Sequence, residues 1–111
     1  MSNVRPHHYM VTSLQDEIAT LGQARLIAIK SLGPTAIRQL PKVESEDLTV
    51  CGKKVAVTVY RDELPDDRLL VVVQIYRNIF FSYGRMFVVG FVVERDGSFS
   101  EPEPKMLWDY T

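Results

Sequence analysis

Two stretches, RLLVVVQIYR at residues 68–77 and RMFVVGFVVER at residues 85–95, decide how this chain folds. Both have the length of a β-strand, and both are rich in the β-branched and aromatic side chains that pack well on a pleated sheet. An antiparallel strand with one solvated face carries a polar residue at every second position, whereas these stretches are apolar at successive positions. The sequence therefore predicts two strands whose faces are both covered.

Several covers for the second face fit the sequence. One face of the sheet can be covered by a helix. The other face can be covered by a second helix, by a C-terminal tail with Leu107, Trp108 and Tyr110, by a bound apolar ligand or by another subunit. Gln74 and Tyr76, at the end of the third strand, mark where we expect the cover to stop.

The first hairpin is predicted from the alternation that begins near Asp47. Strands at Leu48–Cys51 and Lys54–Arg61 flank Gly52-Lys53. A glycine at the first central position is typical of a two-residue type II′ turn, so we expect that turn here.

The far side of the sheet is predicted from two glycine signals. Asp96-Gly97 is a strong hairpin signal and indicates a brief fifth strand at about residues 98–101. Gly90 interrupts the bulky residues of the fourth strand, which indicates a β-bulge there or, as the alternative, a close contact with a ligand or partner.

The helical part of the chain is predicted at residues 12–40. Thr12 or Ser13 is a candidate N-cap, and apolar residues follow at helical spacing. Gly22 is where this first helix can continue or break, and continuation is favoured. Gly33-Pro34 ends it, and Thr35–Leu40 is then a short second helix.

The predicted architecture is α+β. An N-terminal helix, continuous or broken at Gly22, and a short second helix pack on an antiparallel meander sheet of four or five strands at residues 47–101. The length of 111 residues fits a single domain. Residues 1–11 are expected to be a flexible tail, and residues 102–111 a C-terminal tail.

Composition and charge argue against several function classes. Apolar residues make up 46% of the chain and charged residues 24%, as in an ordinary globular protein. The formal net charge is −1, which argues against nucleic acid or an anionic membrane as a partner. The chain has no apolar run long enough to span a bilayer. Its single cysteine, Cys51, cannot form an intramolecular disulfide, so a cytoplasmic location is expected.

No motif in the sequence indicates catalysis or a metal. His-x-x-x-His spacing, paired cysteines and a glycine-rich phosphate loop are all absent from the sequence. We therefore predict no catalytic residue, no cofactor and no metal site, and we favour a protein that is not an enzyme.

Aromatic and arginine side chains at strand ends and in the C-terminal tail are the candidate functional residues. Such side chains are enriched at protein interfaces. They are candidates for an interface, or for the rim of a ligand pocket between helix and sheet: Tyr60, Tyr76, Arg77, Tyr83, Arg85 and Trp108.

A short segment resembles a DNA-backbone-binding motif. Residues 29–40, IKSLGPTAIRQL, are similar to the turn and second helix of a helix-hairpin-helix. That motif usually has two glycines in its turn; here Gly33 is one of them, and Ser31 stands in place of the other. The resemblance implies that Gly33 and Arg38 contact a phosphate.

Three functional hypotheses remain. The leading one is a noncatalytic interaction or assembly domain that forms a homo-oligomer through its apolar sheet. The alternatives are a domain that binds or converts a small ligand between helix and sheet, and a weak nucleic-acid-binding module that uses the Gly33-Pro34 turn.

Overall fold

The predicted α+β architecture is confirmed. The computed structural model describes residues 13–77 and 86–111, in which helices pack on a five-stranded antiparallel sheet. The predicted tail at residues 1–11, as well as Tyr83 and Arg85, lies outside the described residues. The elements are α1 (Leu14–Lys30), α2 (Pro34–Arg38), β1 (Val43–Val50), β2 (Lys53–Leu64), a 3₁₀ turn (Pro65–Asp67), β3 (Arg68–Tyr76), β4 (Met86–Val93), β5 (Phe99–Ser100) and a C-terminal 3₁₀ helix (Pro104–Tyr110).

Helix α1 begins and ends at the predicted signals. The Ser13 hydroxyl accepts a hydrogen bond from the amide of Asp16 at 3.0 Å, as an N-cap does. The helix continues through Gly22, where an added Cβ would run into the ring of Phe87 on β4. That glycine is therefore the place where the helix closely approaches the sheet. Gly33, with φ at 87°, separates α1 from α2.

The five strands form a meander in the order β1-β2-β3-β4-β5. The predicted beginning of the sheet at Asp47 was wrong, because β1 begins at Val43. The segment VESED carries three acids, so it has no apolar alternation to reveal a strand. It can form a strand nonetheless because β1 is at the edge of the sheet and its residues 43–47 are exposed to water.

The β1–β2 hairpin is confirmed, but its turn differs from the prediction. Val50 is the partner of Lys53, so the loop residues are Cys51 and Gly52 and not Gly52 and Lys53. Their φ angles are 52° and 75°. Positive φ at both central residues defines a type I′ turn, whose twist matches that of the flanking strands.

Gly90 does not form a bulge. The pairing of β3 with β4 continues without interruption through Gly90, which is the partner of Val72. A Cβ at Gly90 would lie 2.7 Å from the backbone oxygen of Val71 and 3.3 Å from Cδ2 of Leu107. The glycine therefore permits a close approach by the chain's own β3 and C-terminal helix.

The first face of the sheet packs against α1 and α2. The two helices contribute buried apolar side chains, and β2, β3 and β4 contribute valines, isoleucine, leucine and phenylalanine. The buried residues of this core are Ile18, Leu26, Ile29, Ile37, Val55, Val57, Leu69, Val71, Val73, Ile75, Phe91 and Val93.

The second face is covered in part by the C-terminal 3₁₀ helix. Leu70, Val72 and Val92 are buried beneath it, with Leu107 and Tyr110 packed against them. Of the covers that the sequence left open, the C-terminal segment is therefore the one observed. Helix α2 contributes to the other face through Ile37.

Within the described parts of the chain, none of the helices has both the length and the apolar character needed to cross a membrane.

Candidate functional site

The second face of the sheet has a part that the C-terminal 3₁₀ helix does not cover. Strand pairing places Asp47, Ala56 and Tyr76 side by side in one row across β1, β2 and β3. Ser45 and Lys54 lie on the same face, because side chains two residues apart on a strand share a face. We call these five residues the open face.

Gln74 marks the border of the open face, as the sequence indicated. Its side-chain amide donates a hydrogen bond of 2.7 Å to the backbone oxygen of Tyr110, the last residue of the 3₁₀ helix. The hydroxyl of Tyr60 donates to Oε1 of Gln74 at 3.3 Å, and the rings of Tyr60 and Tyr110 lie 5.0 Å apart. Tyr60 is therefore a packing partner of the C-terminal helix at this border.

The open face contains a shallow cavity of about 360 Å³. Asp47 and Lys54 line it together with Ala56 and Tyr76. A carboxylate, an ammonium group and apolar surface thus lie next to each other. Such a mixture can form hydrogen bonds, ion pairs and an aromatic contact with a partner.

Ser45 of the open face forms a polar pair with Thr58, its partner on β2. The hydroxyls of Ser45 and Thr58 are 2.6 Å apart, and Thr58 is buried. The hydrogen bond satisfies a polar group that burial would otherwise penalise. This part of the sheet therefore contains hydrogen-bonded polar side chains, whereas the region under the C-terminal helix is apolar.

Trp108 is the most exposed of the large apolar side chains on this side of the sheet. It is 71% exposed, although Leu107 and Tyr110 of the same helix pack against the sheet. A 3₁₀ helix has about three residues per turn, so residues 107 and 110 share one side and residue 108 lies on another. The helix therefore presents a tryptophan to water on the sheet side that also carries the open face.

The structure brings only some of the predicted residues together. Tyr76 lies on the open face, Tyr60 at its border and Trp108 on the adjacent helix. Arg77 follows the end of β3 and is half-buried. Tyr60 and Tyr76 are on the face turned away from α1, so the suggestion that they rim a pocket between helix and sheet was wrong.

Gly33 and Arg38 do not form a common site. The amide of Gly33 donates to the backbone oxygen of Lys30 at 3.2 Å. At the other end of α2, Nη2 of Arg38 donates to the backbone oxygen of Asp67 at 2.8 Å and to that of Glu94 at 3.5 Å. Arg38 therefore connects α2 to two loops of the sheet.

Sequence reasoning missed four residues of the open face. Ser45 and Asp47 were missed because the first strand was expected to begin at Leu48. Lys54 and Ala56 were placed in the second strand, but only aromatic and arginine side chains were taken as candidates. Counting backwards from a loop at Cys51-Gly52 would have paired Asp47 with Ala56. The signal for this strand pairing was the turn, whose two central residues need a positive φ. It was not recognised because a cysteine is not typical of that conformation.

Among the residues that the structure describes, no three histidine, cysteine or acidic side chains come together as metal ligands would.

No model of a known protein family matches this chain, and neither a curated protein nor a solved structure similar to it was found.

Proposed function

We propose that this protein is a noncatalytic interaction domain that self-associates through its open face. The observation that carries the proposal is the position of Trp108, 71% exposed on the helix that borders the open face. Tryptophan is enriched among the residues that dominate binding energy at interfaces. The sequence suggested the whole apolar sheet as the contact surface. We propose the open face instead, because the C-terminal helix buries Leu70, Val72 and Val92.

The edge of the sheet is a poorer candidate for contact between two copies. Strand β1 is one of the two edge strands, and it carries Glu44, Glu46 and Asp47, whereas β5 at the other edge has only two residues. Pairing two copies of β1 would bring like charges close together, which destabilises a strand pair. Charged edge strands are a common means of preventing such pairing.

The charges of the open face suit a second copy of the same chain. In a two-fold dimer each residue that contacts a second residue is contacted by it in return. Asp47 and Lys54 line the same cavity, so two copies can pair each acid with the other copy's base. The net charge of −1 adds little long-range repulsion between copies.

A cytoplasmic location is part of the proposal. It is supported by Cys51, the single cysteine, which is free and exposed in the structure.

Light scattering over a wide range of protein concentrations tests the proposal. We expect a dimer or larger species whose fraction increases with concentration. Trp108→Ala and Tyr76→Arg should each shift the equilibrium towards the monomer, because one removes an aromatic anchor and the other places a cation on the contact surface.

The matched control is Ile27→Ala. Ile27 is 66% exposed, but it lies on α1, which covers the other face. Its substitution should leave the association unchanged. A protein that stays monomeric at every concentration would overturn self-association, and dissociation caused by Ile27→Ala alone would overturn the choice of surface.

A further inference from the structure

Three arginines line one cleft at the end of the sheet where β2 turns into β3. Arg38 comes from α2, Arg61 from β2 and Arg68 from the first position of β3. Glu63 and Asp67 also line the cleft, whose volume is about 310 Å³. This volume is at the lower end of the range of small-molecule sites. We call it the arginine cleft.

Each guanidinium group is held in place by the protein. Nη2 of Arg38 donates to the backbone oxygen of Asp67 at 2.8 Å. Nε of Arg61 donates to the backbone oxygen of Leu40 at 2.7 Å, and Nε of Arg68 to Oε1 of Glu94 at 3.1 Å. Side chains fixed in this way lose little further freedom when a ligand binds.

Much of the donor capacity of the cleft is not used within the described chain. A guanidinium has five N–H donors in a fixed plane. Nε and Nη1 of Arg38 and both Nη atoms of Arg68 have no hydrogen-bond partner among residues 13–77 and 86–111. Arg61 has Glu63 as its ion-pair partner, but at 3.8 Å, which is too long for a hydrogen bond.

The backbone beside the cleft is strained. Asp66 and Asp67 have φ angles of 65° and 60°, in the left-handed region that residues other than glycine rarely adopt. The bond from Arg38 holds the oxygen of Asp67 in this conformation. Such strain persists where the surroundings enforce it and is concentrated at ligand-binding positions.

The charges of the lining select the class of ligand. In the lining, three guanidinium groups stand against the carboxylates of Glu63 and Asp67, and Glu94, which pairs with Arg68 at 3.1 Å, balances the remaining positive charge. A planar guanidinium matches the two oxygens of a carboxylate. These three acids repel a group with several negative charges, such as a phosphate ester or a nucleic-acid backbone.

We propose that the arginine cleft binds the carboxylate group of a small molecule, with Arg38 and Arg68 as donors. This site is on a different part of the molecule from the open face and is independent of self-association. Its ligand would be held by the unused N–H groups of Arg38 and Arg68, while Arg61 adds positive charge.

Nuclear magnetic resonance of the arginine Nε–H groups in the full chain tests this site. Sodium acetate should shift the signals of Arg38 and Arg68 along a saturating curve, while sodium chloride at equal ionic strength should not. Arg68→Gln should weaken acetate binding about tenfold, because it removes a charge-assisted hydrogen bond. Arg68→Lys keeps the charge but loses the planar donor, so it should also weaken binding.

The control is Arg25→Gln. Its side chain is 30% exposed against 31% for Arg68, and it also pairs with one acid, Glu46 at 2.6 Å, but it lies outside the cleft. This variant should bind acetate like the unmodified protein. The proposal fails if chloride and acetate act alike, if sodium phosphate binds more tightly than acetate, or if Arg25→Gln weakens binding as much as Arg68→Gln.

Discussion

At the scale of single residues, Cys51 occupies a turn position to which a cysteine is poorly suited. Its φ angle of 52° lies in the left-handed region, and Gly52 follows at 75°. Asparagine tolerates this conformation better than other residues with a Cβ, and Asn-Gly is the preferred pair for a type I′ turn. We expect Cys51→Asn to raise the free energy of unfolding by about 1 kcal/mol.

Urea denaturation measures the effect of this substitution. Cys51→Ala is the control, because it removes the thiol without favouring a positive φ. The explanation would be wrong if the asparagine variant were no more stable than the alanine variant.

Gly90 illustrates the opposite case, in which a side chain cannot be added. A Cβ at this position would lie 2.7 Å from the backbone oxygen of Val71, and the sheet ladder prevents that oxygen from moving away. We expect Gly90→Ala to lower the free energy of unfolding by about 1–3 kcal/mol, the usual cost of overpacking. Strand propensity alone predicts the opposite sign, because glycine weakens a strand.

A double variant separates the two contacts at Gly90. In Gly90→Ala combined with Leu107→Ala, the 3.3 Å contact with Leu107 is removed while the contact with Val71 remains. The penalty for adding the methyl group should therefore persist when it is measured against Leu107→Ala alone. Loss of that penalty would assign the clash to the C-terminal helix instead.

Residues such as Gly22 and Gly90 also show what a sequence cannot reveal. The local patterns favoured a continuous helix at Gly22, and at Gly90 a bulge or, as the alternative, a contact with a ligand or partner. Each instead permits a contact with a residue far away in the chain, Phe87 for one and Val71 for the other. Local propensities do not contain such tertiary contacts.

At the scale of elements, the β4–β5 hairpin is joined to β3 by Glu94. The hydroxyl of Ser100 donates to its carboxylate at 2.5 Å, and Nε of Arg68 donates at 3.1 Å. The hydrogen bond from Ser100 is the main reason that the pKa of Glu94 is lowered, with the charge of Arg68 adding to the effect against partial desolvation.

Because the pKa of Glu94 is lower in the folded state, its ionised form stabilises the fold. This contribution is complete above the ordinary value of 4.5 and is lost as the pH falls through the lowered pKa. Ser100→Ala should raise the pKa of Glu94 towards 4.5. A titration followed by the nuclear magnetic resonance signal of the side-chain carboxyl group measures this change.

Ser98→Ala provides the comparison within the same hairpin. Hydrogen bonds from Ser98 lower the pKa of Asp96, so this variant should raise the pKa of Asp96 and leave that of Glu94 unchanged. Equal effects of the two variants on Glu94 would indicate a general loosening of the hairpin.

The elements differ in how well the sequence predicted them. The apolar stretches of β3 and β4, the N-cap at Ser13 and the Gly33-Pro34 boundary were predicted because each depends on local chemistry. The extent of β1 was not predicted, since an edge strand exposed to water needs no apolar face. The C-terminal segment was expected as a tail and as one of several possible covers, and its 3₁₀ helix was not predicted, because its packing on Leu70, Val72 and Val92 is a tertiary contact.

At the scale of the whole molecule, the covered area of the sheet and the open face differ in chemical character. The helices bury the first face, and the C-terminal helix buries the apolar part of the second. What remains is a surface with both signs of charge and an exposed tryptophan nearby. The sequence predicted that cover was needed but not which segment would supply it, since several segments were apolar enough.

The proposed two-fold contact makes a specific prediction about charge exchange between Asp47 and Lys54. Asp47→Lys alone should place two bases opposite each other in the dimer, and Lys54→Glu alone two acids, so each should shift the association towards the monomer. The double variant exchanges the charges and restores both pairs, so it should associate like the unmodified protein.

The midpoint temperature of unfolding provides a readout that depends on association. A dimer that dissociates on unfolding has a midpoint that rises with protein concentration. We expect this rise in the unmodified protein and in the double variant, and a much smaller one in either single variant. At low concentration all four proteins should unfold at similar temperatures, because both side chains are exposed on the monomer. A double variant whose midpoint stays independent of concentration would show that Asp47 and Lys54 do not meet across a two-fold axis.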